Sequence, residues 1–184
     1  MSKINFKAKL SKIGLWIILK LPKSASAKLP SRGLAMVEGT INGFHFQAPL
    51  EPDGKGSHWL NVDESMCKAA KADVGDSVKV DIEPTKEWPE PKVPTYLKNA
   101  LTAAPQAQNV WKEITPMARW EWIRWIRSTK NAETRQRRIE VACSKLKAEK
   151  RRPCCFNSSM CTEPEVSKNG VLIEPTHTAT IKIK

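Results

Sequence analysis

A proline-rich segment divides the chain into two parts that differ in hydrophobic periodicity. Residues 83–94 contain four prolines, and proline fixes its own φ and favours an extended residue before it. Apolar residues alternate with polar ones before this segment and recur every three to four residues after it. We therefore expect an α+β chain with a β domain over residues 1–83, a stiff linker over 84–94, a helical region over 95–152 and a cysteine-containing tail over 153–184.

The first part contains short strand patterns separated by turn residues. Asn42-Gly43 lies between two alternating segments, which is a strong signal for a tight hairpin. One short helix follows Asp63, whose side chain suits a helix N-cap. Because closure of a sheet removes unpaired edges, the pattern predicts a small closed β-barrel of five to six strands with one short helix. The expected strands are residues 4–10, 15–21, 35–41, 44–50, 58–62 and 77–82.

The second part predicts three to four helices. Thr115-Pro116 combines a good N-cap with proline at the first helical position, and Asn131 is a suitable N-cap for a later helix. The helix after Thr115 carries three tryptophans on more than one of its sides, so we expect it at the centre of the helical region. The expected helices are residues 95–104, 106–114, 115–127 and 131–150.

Positive charge is concentrated in two blocks. The chain carries 31 Lys and Arg against 19 Asp and Glu, a net charge of +12. Residues 1–37 hold eight basic residues and no acidic one, and residues 117–152 hold twelve basic against four acidic residues. Such blocks indicate positive surfaces that face an anionic partner, although a solvated face gives the same pattern.

The cysteines and the hydropathy indicate a cytoplasmic protein. Five cysteines, an odd number that includes the adjacent Cys154 and Cys155, suit a reducing compartment better than a set of paired disulfides. No apolar run approaches the ~20 residues that a transmembrane helix needs. We therefore expect no transmembrane segment.

Short motifs in a fixed order resemble a known family. The first half is similar to the small β-barrel domain of unknown function that often precedes a YdeI/OmpD-associated helical region, in the group labelled bacteriocin-protection proteins. The similar segments are residues 37–43, 56–60 and 74–78, then Trp125-Ile126, Lys130, residues 133–139 and residues 151–156. The resemblance covers roughly residues 4–172.

This resemblance implies a barrel followed by helices, and a link to envelope stress and antimicrobial-peptide tolerance. It implies no established enzyme activity. Where the family usually has a basic residue at the start of the barrel helix, this chain has Cys67. The resemblance therefore does not carry an anion site over to that position.

One candidate ligand site lies around His58. His58 and Trp59 follow the glycine-rich turn that contains Lys55, and there a proton-transferring imidazole and a stacking ring could line the mouth of the barrel. The alternative places Trp59 in the core and His58 in solvent. No Ser-His-Asp order, phosphate-binding loop or metalloprotease motif accompanies the histidine, so we expect no enzyme activity and no cofactor.

A second candidate site comprises the cysteines of the tail. Cys154, Cys155 and Cys161 could hold a zinc ion together with His177, but their spacing is not that of a typical zinc site. The neighbouring arginines could instead make Cys154 a reactive thiol, and three reduced cysteines in a loose tail are a further alternative. We expect no metal.

A third candidate site is an arginine set that would bind anions: Arg135, Arg137, Arg138, Arg151 and Arg152. We expect a non-enzymatic binding or interaction protein linked to stress tolerance, whose partner is an unidentified protein or an anionic surface. The alternative is a nucleic-acid-binding protein that uses the basic C-terminal helix, although the aromatic residues nearby look like core. The second alternative is a small-ligand binder or enzyme at the barrel mouth around His58.

Overall fold

The computed structural model describes residues 2–154 and 156–175, which form two compact units. Of the described residues, the barrel unit comprises 2–85, 159–161 and 166–175. The helical unit comprises residues 86–158 and 162–165. Residues of the expected tail are thus divided between the two units.

Six antiparallel strands close into a barrel, as the sequence predicts. They follow the order β1-β2-β5-β4-β3-β6, and β6 pairs with β1 to complete the closure. The strands are β1 (Ile4–Ile13), β2 (Trp16–Lys20), β3 (Ala35–Ile41), β4 (Phe44–Pro52), β5 (His58–Asn61) and β6 (Ser77–Pro84). Two short helices, α1 (Lys23–Ser26) and α2 (Glu64–Ala70), accompany them, and the sequence predicts only the second.

The Asn42-Gly43 turn fixes the register of the barrel. Both residues adopt positive φ, 47° and 84°, which the tight turn between β3 and β4 requires. The Asn42 backbone N–H donates to the Lys79 carbonyl oxygen, and its side-chain Oδ1 accepts from the Lys79 N–H. The turn is therefore bound to β6 as well as to its own two strands.

Gly39 allows β3 to approach β6 closely at a corner of the barrel. A Cβ at this position would lie 2.0 Å from the Asp81 carbonyl oxygen, which is far inside van der Waals contact. Glycine is the residue that such close backbone approaches require. The inward side chains around it form a continuous apolar core that includes Leu10, Val37, Val78 and Ile82.

We predict that Gly39→Ala destabilises the barrel by about 1–3 kcal/mol, since the added methyl group must displace backbone. Glu38→Ala is the matched control on the exposed side of the same strand and should cost less than about 1 kcal/mol. Urea unfolding of both variants measures the difference. Equal midpoints would contradict the close approach at Gly39.

The helical unit contains α3 (Thr95–Thr102), α4 (Pro105–Glu113), α5 (Pro116–Arg127) and α6 (Ala132–Lys147). The predicted caps are present: Thr115 Oγ1 accepts from the Ala118 N–H, and Asn131 Oδ1 accepts from the Thr134 N–H. Their apolar faces form one core, in which Trp122, Ile126 and Leu146 have no exposed surface. The sequence therefore placed the tryptophan-rich α5 correctly.

Several residues of the expected linker pack against α5. The Trp120 Nε1–H donates to the Pro89 carbonyl oxygen at 2.9 Å, and the Trp120 and Trp88 rings meet edge to face at 6.4 Å. Arg119 forms an ion pair with Glu90. Residues 86–94 thus belong to the helical unit rather than spanning solvent.

The tail adds a small hairpin to the barrel unit. Two-residue strands, β7 (Ser167–Lys168) and β8 (Val171–Leu172), pair across Asn169-Gly170. Leu172 and other tail residues pack with Trp59 in a separate apolar cluster. The Leu172 N–H donates to the Asp53 carbonyl oxygen at 2.9 Å, which attaches the hairpin to the turn after β4.

Candidate functional site

His58 lies inside the barrel unit rather than at an open mouth or in solvent. Its side chain is 1% exposed, and both ring nitrogens have partners. Nε2 lies 2.8 Å from the Gly33 carbonyl oxygen and Nδ1 lies 2.7 Å from Ser26 Oγ. Because a carbonyl oxygen only accepts, Nε2 carries the hydrogen and Nδ1 accepts from the Ser26 hydroxyl. The imidazole therefore ties α1 and the following loop to β5.

The other two residues of this candidate site are also placed unfavourably for a shared ligand. Trp59 is fully buried, and its ring meets that of Trp16 edge to face at 6.1 Å. Lys55 is exposed and lies 3.8 Å from the Glu174 carboxylate. The sequence-predicted set thus separates into two core residues and one surface lysine. Sequence reasoning missed Ser26, which completes the histidine's hydrogen bonds, because no pattern links a hydroxyl at the end of α1 to a strand 32 residues later.

Burial explains the direction in which the pKa of His58 shifts. Burial lowers the pKa, the hydrogen bond to Gly33 raises it, Arg32 lowers it, and Asp53 and Glu51 raise it, with a lower pKa as the net result. Arg32 donates to the Ser26 carbonyl oxygen at 2.6 Å, so a protonated imidazole would face this guanidinium across the same serine. The structure thus favours neutral His58.

We predict that His58 makes the barrel sensitive to acid. Unfolded His58 titrates near pH 6.5 and the folded form below it, so the unfolded chain takes up a proton first as the pH falls. Stability is then complete above pH 6.5 and declines below it, toward the folded pKa. His58→Gln keeps one donor and one acceptor but does not titrate, so its urea unfolding free energy should fall less between pH 7.5 and pH 5. Equal losses in parent and variant would contradict this assignment.

A groove of about 700 Å³ lies on the outer face of the barrel. Strand register places Asp81 beside Asn5 and Thr40, and it places Glu38 directly opposite Glu83. Sequence reasoning missed this groove, because its residues come from four strands that are distant in the sequence. The carboxylates of Glu38, Asp81 and Glu83 repel anions, so we do not assign an anionic partner to this groove.

Within the predicted anion-binding set, Arg135 is held in place by an aromatic ring while its N–H donors stay available. It projects from the first turns of α6, and its guanidinium carbon lies 5.4 Å from the centre of the Tyr96 ring on α3. Within the described part of the chain, its guanidinium donates no hydrogen bond. Cation–π contact fixes the position of the group without using its N–H donors. Those donors remain available to a ligand.

Arg138 has a different environment. Its Nη1 donates to the Trp125 carbonyl oxygen at 2.8 Å and to Ser128 Oγ at 2.6 Å, and its guanidinium lies over the Trp125 ring at 5.7 Å. Burial lowers its pKa from the ordinary arginine value. This residue joins the end of α5 to α6, so its donors are directed into the unit.

The remaining three arginines lie on the surface beside acidic side chains. Arg137 is 3.7 Å from Glu133 one helical turn away. Arg151 lies 3.9 Å from Glu113, and Arg152 lies 3.6 Å from Glu121. All three arginine side chains are exposed, and ion pairs at these distances from a solvated guanidinium are weak, so the arginines can exchange partners. The structure therefore separates the predicted set into one oriented arginine, one structural arginine and three loosely paired ones.

A partly buried ion pair that the sequence did not indicate joins Arg127 to Glu163. Arg127 ends α5, and its Nη2 contacts Glu163 Oε1 at 2.5 Å, with the two side chains 27% and 12% exposed. Burial raises the pKa of Tyr96 above its ordinary value. The nearby charges of Arg135 and then Arg127 lower this pKa, and the charge of Glu163 raises it. These three charged groups therefore interact with one phenol, that of Tyr96. No sequence signal joins these four residues, because they come from three helices and a loop.

The cysteines do not form a recognisable site in the described residues. Cys154 is exposed in the helical unit, where Lys145 Nζ donates to its Sγ, and Cys161 is buried in the barrel unit. Cys155 and His177 lie outside the described residues. No group of three or more His, Cys, Asp or Glu in residues 2–154 and 156–175 is arranged to hold a metal ion. Burial raises the pKa of both Cys67 and Cys143, which disfavours their thiolates.

We predict that the neighbours Arg137 and Arg138 differ sharply in their effect on stability. Arg138→Gln removes charge-assisted hydrogen bonds and should lower the unfolding free energy by roughly 1.5–3 kcal/mol. Arg137→Gln removes only an exposed pair and should cost less than about 0.5 kcal/mol. Thermal and urea unfolding of the two variants test this contrast. Equal destabilisation would contradict a structural role confined to Arg138.

Comparison with family models supports the resemblance seen in the sequence. Residues 6–82 match the model described as Domain of unknown function (DUF1905). Residues 90–149 match the model described as Bacteriocin-protection, YdeI or OmpD-Associated. The two matches occur in the predicted order and correspond to the barrel strands and the four larger helices. Comparison with curated proteins gives no match. In the part of the chain described here, no helix has the length and apolar character needed to cross a membrane.

Proposed function

Because the chain combines the domain of unknown function with a segment of the bacteriocin-protection, YdeI or OmpD-associated family, we propose that it is a non-enzymatic binding protein of this bacteriocin-protection-like kind. In this proposal the helical unit binds an anionic surface of a partner protein, in the cytoplasm, and this interaction contributes to tolerance of envelope stress or antimicrobial peptides. The proposal concerns binding alone and requires neither a metal nor a cofactor.

The orientation of Arg135 is the observation that carries this proposal. A surface arginine usually samples many rotamers, and holding it in place costs entropy when a ligand binds. Here the contact with the Tyr96 ring holds the Arg135 guanidinium in place while its N–H groups stay available. Arginine in such a position matches the two oxygens of a carboxylate. Arg137, two residues later and therefore about 200° around α6 from Arg135, adds a second exposed charge on another side of the helix.

The charge of the helical unit supports the same assignment. Its residues include sixteen Lys and Arg against nine Asp and Glu, a net charge of +7. A surplus of this size attracts acidic partners and increases their rate of encounter. The outer groove of the barrel, by contrast, is lined with carboxylates such as Glu38 and Glu83. The arginines of the helical unit are therefore the better candidates for anion binding.

A partner protein is favoured over nucleic acid by the position of the aromatic rings. Proteins that bind single strands stack bases on exposed aromatic side chains. Tyr96 and Trp125, the rings nearest to the basic helix, each carry a guanidinium over one face. The positive charge of the helical unit would still attract the phosphates of a nucleic acid, so nucleic acid is kept as the alternative. The alternative of a small-ligand site at His58 has less support, because that histidine is buried and hydrogen-bonded on both nitrogens.

We predict that Arg135→Gln weakens binding of a polyglutamate peptide about tenfold, the equivalent of one charge-assisted hydrogen bond. Arg137→Gln should have a smaller effect, since that side chain is not held in place. Lys112→Gln removes the same charge from an exposed position on α4 and is the matched control. Titration by fluorescence anisotropy, with duplex DNA as a second probe, measures these changes.

The outcome of the DNA titration separates the two partner classes. Tighter binding to DNA than to polyglutamate, with equal losses in Arg135→Gln and Lys112→Gln, would favour the nucleic-acid alternative. Unchanged binding of polyglutamate by Arg135→Gln would contradict the proposed function.

A further inference from the structure

We propose that the corner formed by Tyr96, Arg127 and Arg135 is a binding site for a glutamate-bearing segment of a partner protein, and that Glu163 occupies it in the unbound chain. This inference rests on the proposed function, because it assigns a partner chemistry and a means of regulation to the same arginines.

Glu163 is in the position that a ligand carboxylate would take. It is 9% exposed, and its Oε1 lies 2.5 Å from Arg127 Nη2. Removing a carboxylate from water is costly unless a cation compensates it, so its burial depends on this pairing. The site therefore already holds a glutamate side chain, which shows directly what chemistry it accepts.

Tyr96 and Arg135 form the open side of the same corner. Tyr96 is 36% exposed, and the Arg135 guanidinium carbon lies 5.4 Å from the centre of its ring. The charges of Arg127, Arg135 and Glu163 all shift the pKa of Tyr96, so these three charged groups lie around the same phenol. Arg127 is paired internally, whereas Arg135 offers its donors. An incoming carboxylate would thus contact Arg135 first and then compete with Glu163 for Arg127.

The segment around Glu163 suggests the kind of sequence that fits. Thr162, Glu163, Pro164 and Glu165 cross the helical unit as a short irregular segment in which only Glu165 is exposed. Proline stiffens such a segment and reduces the entropy lost when it is bound. An acidic, proline-containing peptide is therefore the partner chemistry that this site most resembles.

The internal contact is imperfect, which makes displacement feasible. Thr162 is 1% exposed, and its Oγ1 has no hydrogen-bond partner among the described residues. A buried hydroxyl without a partner destabilises the arrangement that buries it. The segment is thus held by the Arg127–Glu163 pair against the cost of that hydroxyl. A competing carboxylate would replace this ion pair, and displacement of the segment would release the hydroxyl to water.

Internal occupation lowers the apparent affinity for an external ligand in proportion to the fraction of open sites. Glu163→Gln removes the internal carboxylate charge while keeping the side-chain shape. We expect this variant to bind a synthetic Thr-Glu-Pro-Glu peptide about tenfold more tightly than the parent chain. Glu165→Gln removes the same charge two residues away from an exposed position and should leave the affinity unchanged. Isothermal titration on the full chain measures both.

A second variant tests the same competition without removing the ion pair. Thr162→Val replaces the buried hydroxyl by a methyl group of similar size, so it should strengthen the internal contact. We expect its affinity for the Thr-Glu-Pro-Glu peptide to fall several-fold while its thermal midpoint rises. This readout remains available if Glu163→Gln fails to fold.

The possible results separate this inference from the proposed function. If Arg135→Gln weakens peptide binding but neither Glu163→Gln nor Thr162→Val changes it, the arginine binds anions and the internal occupation is overturned. If the parent chain and Glu163→Gln both fail to bind polyglutamate and the Thr-Glu-Pro-Glu peptide, the proposed function and the inference both fail. If Glu163→Gln gains affinity for duplex DNA but not for the peptide, a polypeptide ligand is overturned.

Discussion

Burial of one face of α6 is the constraint on which the helical unit depends. Ile139, Ala142 and Leu146 lie at helical spacing and pack into the core that Trp122 and Ile126 of α5 also enter. This packing fixes the rotation of α6 about its axis, because exposing any of the three would cost apolar burial. Once the rotation is fixed, the positions of the helix's arginines follow from their spacing.

Because the rotation of α6 is fixed, the arginines along it make different contacts. Arg138 is directed to the end of α5, where it satisfies the Trp125 carbonyl oxygen and stabilises the junction of two helices. Arg135, one turn earlier, reaches the Tyr96 ring and keeps its donors available. Arg127 at the end of α5 completes the corner and holds Glu163. A basic helix that looks uniform in sequence thus contains, three residues apart, a structural arginine and the arginine that we propose binds the partner.

The sequence was sufficient wherever local chemistry determines structure. The Asn42-Gly43 turn, the Asp63, Thr115 and Asn131 caps and the strand alternation predicted the barrel and the four larger helices. Asn169-Gly170 carries the same turn signal, but its two-residue strands are too short to show alternation. Helix α1 was missed because it is a single turn without a side-chain N-cap. The contacts of the candidate site could not be predicted, because Tyr96, Arg135 and Glu163 are far apart in sequence and only tertiary packing brings them together.

The central claim is that a partner's carboxylate and Glu163 compete for the same arginines. Hydrogen exchange of the parent chain, measured by mass spectrometry with and without saturating Thr-Glu-Pro-Glu peptide, tests it most directly. Competition predicts faster exchange of residues 162–165 when the peptide is bound, because their ion pair is replaced, while the α5 and α6 core retains its protection. Peptide binding that leaves exchange of residues 162–165 unchanged would contradict the account.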